Sequence, residues 1–464
     1  MPDPTVQKIQ QWLRDHEFEL LEDYRSMLRI PSIQGPAKAN APFGLEVRRA
    51  LDLGLNLAGK FGMRTTDLDG YIGYGEIGAG PLVLTIGHLD VVPVGPGWRH
   101  EPFGAEIDGD YVYARGAKDD KGPTMASLYA VRALRDCVPD LKCRVRQVFG
   151  CNEESGFGCV EHYMAVDEAP VFGLAPDSWW PLVHAEKGIS NLSISLPLND
   201  GEFRLLEVTG GQRPNIVIDS CLAKVQVGAE ERAEVEAKLA DAWDRNVTWQ
   251  WKGDLLEIEA IGKAAHGSAP FFGDSAAARV FRFLLALAPI PDAEYFRRLF
   301  YSAHPGGCGI GIDGRDDVSD DLTCNLGVVQ TSGGRVRLEF NVRYPVTWKG
   351  EHLRNLCLKY LEDLDGWTLD SYTDSPSLNF PLDHPLVTTI VDVYEEEAGE
   401  RLKPKVMGGG TYARAIPNTV SIGACWEGDG KAHETDERLK IAHLYRLSRI
   451  YAHILYRLSL IAES

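Results

Sequence analysis

Two histidines and a series of carboxylates stand beside turn signals along this chain of 464 residues. His88 and Asp90 close the apolar run Val83-Leu-Thr-Ile-Gly-His88-Leu-Asp90, and Asp119 and Asp120 lie in Arg115-Gly-Ala-Lys-Asp-Asp-Lys-Gly122. Glu153 and Glu154 follow in Cys151-Asn-Glu-Glu-Ser-Gly156, Asp177 in Ala175-Pro-Asp-Ser178, and His433 in Lys431-Ala-His-Glu-Thr-Asp-Glu437. Singly, each carboxylate reads equally well as a solvated loop charge, and His88 as a hydrogen-bonded core residue. Gathered at one rim, five or six oxygen and imidazole donors with no thiolate suit zinc, manganese or cobalt in a two-metal hydrolytic centre. Several carboxylates in one crevice repel one another unless cations lie between them. His88 is read as a metal ligand and Asp90 as the acceptor for its other imidazole N–H, which would fix the tautomer; a plain loop carboxylate is the alternative for Asp90.

The elements that must position these groups follow from periodicity. Leu82 to Val92 is nearly continuous in apolar and β-branched residues, as expected of a buried parallel strand, and open α/β sheets collect ligands at the carboxyl ends of such strands. Val145 to Cys151 reads as a second buried strand, with Tyr71–Glu76 and Tyr111–Tyr113 as further strands. Helical spacing runs through Val6 to Leu28, Glu46 to Phe61 and Pro123 to Arg135. After Gly188 the pattern changes: Leu192, Ile194 and Leu196, then Ala223, Val225 and Val227, then Val336 through Tyr344 alternate with polar residues, which marks strands with one wet face. Helices are expected over Glu230–Arg245, with Val235, Leu239 and Trp243 on one stripe, over Ser275–Leu287 and over Leu353–Leu364. Ser332-Gly-Gly334 signals a hairpin. Leu386–Glu397 and Leu439–Leu460 read as closing helices. The expected organisation is a domain of residues 1–187 and 384–464 carrying the donors, with an inserted α+β domain of residues 188–383.

Composition bounds the function. A length of 464 residues is too great for one core, and the formal net charge of −19 disfavours nucleic acid or an anionic membrane as partner. Nine cysteines without a CxxC pair are expected to be reduced thiols in a cytoplasmic protein. Met-Pro-Asp-Pro begins no basic-then-apolar leader, so neither secretion nor membrane insertion is expected. No Gly-x-Ser-x-Gly elbow supports a serine hydrolase. Gly408-Gly-Gly410 lacks the Lys-Ser/Thr of a phosphate loop, and backbone N–H groups facing a substrate are the better reading.

The motifs Gly-His88-Leu-Asp90-Val-Val-Pro, Arg115 to Gly122, Glu153-Glu154-Ser-Gly, Pro176-Asp177, Gly262-Lys-Ala-Ala-His266-Gly and Gly408-Gly-Gly-Thr-Tyr-Ala-Arg414 followed by His433 closely resemble the di-zinc aminoacylase and carboxypeptidase family, nearest to its PepV-like dipeptidases. The resemblance runs in order through most of the chain. It implies a zinc-peptidase-like α/β catalytic domain, a mixed and mostly parallel sheet flanked by helices, with the insert as an α+β lid. It implies two divalent metals, zinc first with manganese or cobalt as alternatives. His88, Asp119 and Asp177 would hold one and Asp119, Glu154 and His433 the other, with the Asp119–Asp120 peptide cis and Glu153 as general acid/base. By the same resemblance His266 would be a lid residue stabilising the oxyanion, and Arg343, Asn215 and Gly409 would bind substrate, Arg343 by clamping a free carboxylate. A solvated-face reading of Arg343, in phase with Arg335, Arg337 and Glu339, stays open. The implied activity is hydrolysis of dipeptides by a monomer, through water activated by two metals. The alternatives are an amidohydrolase of N-acyl amino acids and, more distantly, a non-catalytic binding homologue.

Overall fold

The computed structural model describes residues 3–462. Two compact units emerge: Met1–His184 with Phe380–Lys405 and Gly410–Ser464, and Ala185–Asn379 with Val406–Gly409.

The first unit is built on a sheet whose strands lie in the order Arg64–Leu68, Ile72–Gly78, Arg144–Gly150, Leu82–His88, Phe172–Ser178, Thr419–Gly423, Leu182–Glu186. Its centre is parallel: the His88 strand pairs in parallel with Arg144–Gly150 on one side and Phe172–Ser178 on the other, and Thr419–Gly423 continues the parallel run. The flanking pairs are antiparallel. Every residue of Leu82–His88 is buried, which explains why the run shows no alternation. This strand ends at His88 itself, four residues earlier than the apolar pattern suggests, because the chain beyond is held by Ser32. The Ser32 hydroxyl donates to the Leu89 carbonyl at 2.5 Å, and the Ser32 carbonyl accepts from the Val91 N–H at 3.0 Å.

Helices Pro4–Asp15, Glu17–Leu28, Leu45–Lys60, Gly122–Cys137, Gly158–Val166, Pro385–Ala398 and Ile441–Ala462 belong to this unit. Gly122–Cys137 is buried along most of its length and packs against the final helix. The final helix begins at Ile441 rather than Leu439, because Arg438–Lys440 is taken up as a strand pairing with Tyr111–Tyr113. Arg64–Leu68, the helix Gly158–Val166 and the strand Phe172–Ser178 have no counterpart in the sequence expectations. The last of these carries Asp177 and is masked by Gly, Pro and Asp in its sequence.

The second unit holds an antiparallel eight-stranded sheet, ordered Val247–Lys252, Leu255–Ile261, Ser220–Val227, Phe203–Gly210, Thr323–Ser332, Arg335–Tyr344, Gly188–Pro197, Thr368–Ser375. The helices Arg232–Asp241, Ala276–Leu287, Ile290–Ser302 and Gly350–Leu361 belong to this unit. Its core takes the alternating residues Leu192, Ile194, Leu196, Ala223, Val225, Val336, Leu338 and Phe340 from the sheet, and Val235, Leu239, Phe281 and Leu284 from the helices. One expected stripe is shorter than its spacing suggests. The helix stops at Asp241, Ala242 turns extended, and Trp243 is left 84% exposed while Val235 and Leu239 are buried.

Among the described residues no helix is long and apolar enough to cross a membrane. Among the described residues the nine cysteines form no disulfide, and seven of them are buried.

Candidate metal centre

The His88 strand delivers its imidazole to the end of the parallel sheet centre, where the residue before it must be glycine. A Cβ on Gly87 would stand 2.0 Å from Thr124 Oγ1 and 2.6 Å from Asp120 Oδ2. That close approach lets the buried Asp120 carboxylate accept the His88 backbone N–H at 3.1 Å and the Thr124 hydroxyl at 3.2 Å. Asp119 and Asp120 sit in the one-turn segment Ala117–Lys121 and are joined by a cis peptide.

The His88 ring is fixed through Nδ1, which donates to the Asp90 backbone carbonyl at 2.9 Å. This leaves Nε2 as the ring atom that could hold a metal, 3.0 Å from Asp119 Oδ1. The sequence reading gave the tautomer-fixing role to the Asp90 carboxylate, and here the structure differs. The nearer carboxylate oxygen is 3.7 Å from Nδ1, and the two oxygens accept instead from the backbone N–H groups of Glu153 and Glu154, each at 3.1 Å. A buried carboxylate needs strong donors, and two amides of one turn saturate it better than a single ring nitrogen.

Asp119 faces both histidines. Its Oδ1 meets His88 and its Oδ2 lies 3.2 Å from His433 Nε2. His433 Nε2 also lies 3.0 Å from Glu154 Oε2. Ligand atoms of His88, Asp119 and Glu154 lie within 4.8 Å of one another, and so do those of His88, Glu153 and Asp177. All seven candidates of the first unit (His88, Asp90, Asp119, Glu153, Glu154, Asp177 and His433) therefore converge, although Glu153, expected to stand apart from the metals, shares a cluster with His88 and Asp177.

The electrostatics of these groups test whether cations fit. Burial opposes charge on His88, but the hydrogen bond and charge of Asp119, with Asp90 and Asp120 behind it, hold its pKa well above the ordinary value. His433 is raised to about 10 by its hydrogen bonds to Asp119 and Glu154. Burial would raise Asp119, yet hydrogen bonds from His433 and His88 overcome it and hold this carboxyl far below its usual range. Glu153 moves the other way: burial, reinforced by Asp177, Glu154 and Asp119 against the opposing pull of His88, pushes it well up. With protein groups alone, the cluster balances its carboxylates by protonating both imidazoles. Divalent cations in place of those two protons satisfy the same oxygens and leave the rings neutral, as ligation requires. The buried Asp120 Oδ1 has no hydrogen-bond partner, and burial, reinforced by the charge of Asp177, pushes this carboxyl well up. The donor set fits two hard-to-borderline divalent ions.

In the second unit, His266 lies on a turn pinned by the Gly267 N–H donating to the Asn215 carbonyl at 2.7 Å. Its Nδ1 accepts from the Ser268 backbone N–H at 3.2 Å, so the neutral ring carries its proton on Nε2. Asn215 is exposed, and Gly409 is partly exposed in a loop of this unit. Arg343 is 5% exposed, which removes the solvated-face reading; Arg337, in phase with it, is the exposed one. Its guanidinium donates through Nε to Asn341 Oδ1 and through Nη1 to the Gly408 carbonyl, both at 3.0 Å, which ties it to the glycine loop.

Three participants carry no role in the sequence reading. Tyr412, buried, accepts the Asn152 N–H at 3.2 Å and sets its ring edge-on to His88; a Cβ on Gly150 would collide with that ring. Arg115 and Glu437 form a buried pair beneath the Asp119 turn. Both lie inside motifs quoted for their neighbours, and the arginine before Gly-Ala-Lys-Asp is the only signal that could have raised them.

The model of peptidase family M20/M25/M40 matches residues 84–457. The chain is 34% identical over 462 residues to a Bacillus subtilis (strain 168) protein named "Putative dipeptidase YtjP", covering 95% of this chain and 97% of that one. It is 32% identical to a "Putative dipeptidase" of Staphylococcus epidermidis, covering 96% and 98%. Among solved structures its fold is similar to human carnosine dipeptidase 1, with a TM-score of 0.58 at 16% identity over 99% of this chain and 100% of that one. It is also similar to the di-peptidase Dug1p of Saccharomyces cerevisiae, with a TM-score of 0.56 at 14% identity over 98% of each. A third match is the Bacillus subtilis YXEP protein, described as a dinuclear metal binding peptidase, with a TM-score of 0.51 at 13% identity over 97% and 99%.

Proposed function

The chain belongs to peptidase family M20/M25/M40, and from that premise we propose that it is a dinuclear metal-dependent dipeptidase. The observation that carries the reading is Asp119, whose two carboxylate oxygens each face a different histidine, the disposition of a bridging ligand. His88, Asp119 and Asp177 would hold one divalent cation and Asp119, Glu154 and His433 the other, with zinc the first choice and manganese or cobalt the alternatives. When bound, such ions polarise a carbonyl and acidify water toward a pKa of about 7.

The chain's own groups account for the proton movements. Glu153 takes the proton of the attacking water on its carboxylate and returns it to the departing amine nitrogen; the burial that raises its pKa makes it a competent acid in the second half of this cycle. Asp90 holds the Glu153–Glu154 turn through its two amide hydrogen bonds. In the reading, His266 donates its Nε2–H to the tetrahedral oxyanion, a contribution of about 3–4 kcal/mol for a donor of this kind. Arg343 binds the free carboxylate of the substrate, with Asn215 and the Gly409 backbone beside it. The insert as lid, a monomeric state and a cytoplasmic location belong to the same proposal.

The test is a hydrolysis screen of dipeptides, tripeptides and N-acyl amino acids with the metal-free protein reloaded with zinc, manganese or cobalt. Dipeptides are expected to turn over fastest. Turnover confined to N-acyl amino acids would instead identify a deacylase, and sedimentation as a dimer would remove the monomeric state.

A further inference from the structure

Beneath the cluster, Arg115 and Glu437 are each 1% exposed and paired at 2.6 Å between Nη1 and Oε2. Neither touches a group assigned to catalysis through its charge; both act on backbone. The Glu437 carboxylate accepts three consecutive-turn amides: Gly116 at 3.1 Å on Oε2, and Lys118 at 2.9 Å and Asp119 at 3.1 Å on Oε1. Its own carbonyl accepts the Ala114 N–H at 3.1 Å. The Arg115 guanidinium is turned to the other ligand loop, donating to the Glu434 carbonyl at 3.2 Å and the His433 carbonyl at 3.4 Å, and to Pro93 and Val94 carbonyls at 3.4 and 3.5 Å. The His433 loop needs such support, since His433 and Asp436 both adopt left-handed backbone, with φ of 65° and 54°, which non-glycine residues disfavour.

From this arrangement we infer that the Arg115–Glu437 pair is a positioning device that sets the Asp119 and His433 ligands against each other, and so governs the cation shared by Asp119, Glu154 and His433 more than its neighbour. The asymmetry follows from where the ligands sit. His88 and Asp177 stand on strands of the parallel sheet centre, whereas Asp119, Glu154 and His433 all stand on segments outside any strand. Two of those three are held through this one ion pair. A buried pair rarely stabilises a fold better than apolar groups of the same volume, and its five side-chain bonds to ligand-bearing turns give it a different use. Groups that orient ligands from behind typically change metal affinity about 10–100-fold.

This inference rests on the two-cation reading, and the experiment separates the two. Metal-free wild-type, Glu437→Gln and Arg115→Lys proteins are titrated with Co²⁺, followed by calorimetry and by visible absorption, with circular dichroism and unfolding curves recorded on each. Wild type is expected to bind two equivalents; binding of fewer sinks the two-cation reading and this inference with it. Both variants are expected to keep one binding step within about threefold of wild type and to lose at least about tenfold in the other. Given two equivalents in wild type, equal weakening of both steps, as a general loss of stability produces, or no weakening of either, overturns the positioning role alone. If Glu437→Gln does not fold, Arg115→Lys decides, because it keeps a cation for Glu437 while removing the fork that reaches the His433 and Glu434 carbonyls.

Discussion

Replacing Asp90 by asparagine isolates what its carboxylate does. The side chain is buried, and its two oxygens hold the Glu153 and Glu154 amides at 3.1 Å each. Asparagine keeps one acceptor and turns an NH₂ group toward the other amide, so one charge-assisted bond is lost and two donors are opposed. A hydrogen bond to a charged group is worth about 1.5–3 kcal/mol, and at about 1.4 kcal/mol per decade that corresponds to a fall of about 10- to 150-fold in kcat if the whole loss is felt in placing Glu153. The His88 tautomer is untouched, because Nδ1 donates to the Asp90 main-chain carbonyl, which the substitution retains. The expected result is therefore a low kcat per metal-loaded molecule, a KM within a few-fold of wild type, and a retained cation at His88. Steady-state kinetics on a dipeptide, normalised to metal content by atomic emission, measure all three. Loss of the His88 cation with normal turnover per loaded molecule would refute the assignment and restore the carboxylate as the group that orients the ring.

Glu153→Ala is expected to leave metal content largely intact and to lower kcat by at least about 10²–10⁴-fold, whereas His88→Ala should release metal on dialysis; near-native turnover of Glu153→Ala would remove Glu153 as the proton carrier. Arg343→Met is expected to lose activity on dipeptides with a free carboxylate and to change little on their amidated counterparts relative to wild type; equal losses on both would end the clamp role. Loading the metal-free protein at pH 7.5 is expected to release protons, because His433 is raised to about 10 by Asp119 and Glu154 and must give up its proton to ligate. The sign is fixed by the direction of the shift: the stabilisation of the metal-free fold by protonated His433 is complete below its ordinary value of 6.5 and is lost as pH rises through about 10, while apparent metal affinity climbs over the same range. Calorimetric enthalpies independent of buffer ionisation heat would contradict this.

The donor cluster was legible in the sequence because its residues are concentrated at strand ends and turns. His88 follows an unbroken apolar run, and the carboxylates of Asp119, Glu153, Glu154 and Asp177 are marked by Gly, Ser and Pro around them. What escaped depends on contacts distant in the chain. Asp90 is two residues from the ring it was expected to serve, yet its carboxylate is claimed by amides 63 and 64 residues away, and local spacing cannot weigh such competitors. Trp243 continues a helical stripe on paper, but the chain turns at Ala242 before reaching it. Arg343 shares its phase with the exposed Arg337 and is nonetheless buried, because the wet face of its strand is not wet along its whole length.

The Glu437 contacts span 318 to 322 residues of chain, and synthesis is vectorial. A ribosome-bound chain that has already produced His88, Asp119, Glu154 and Asp177 holds four of the five proposed ligands but neither His433 nor the carboxylate that braces the Asp119 turn. Such long-range closure is late in folding, since the entropy of joining distant segments opposes it until both are present. With those ligands, the complete metal centre is assembled only once the C-terminal part of the first unit has been made.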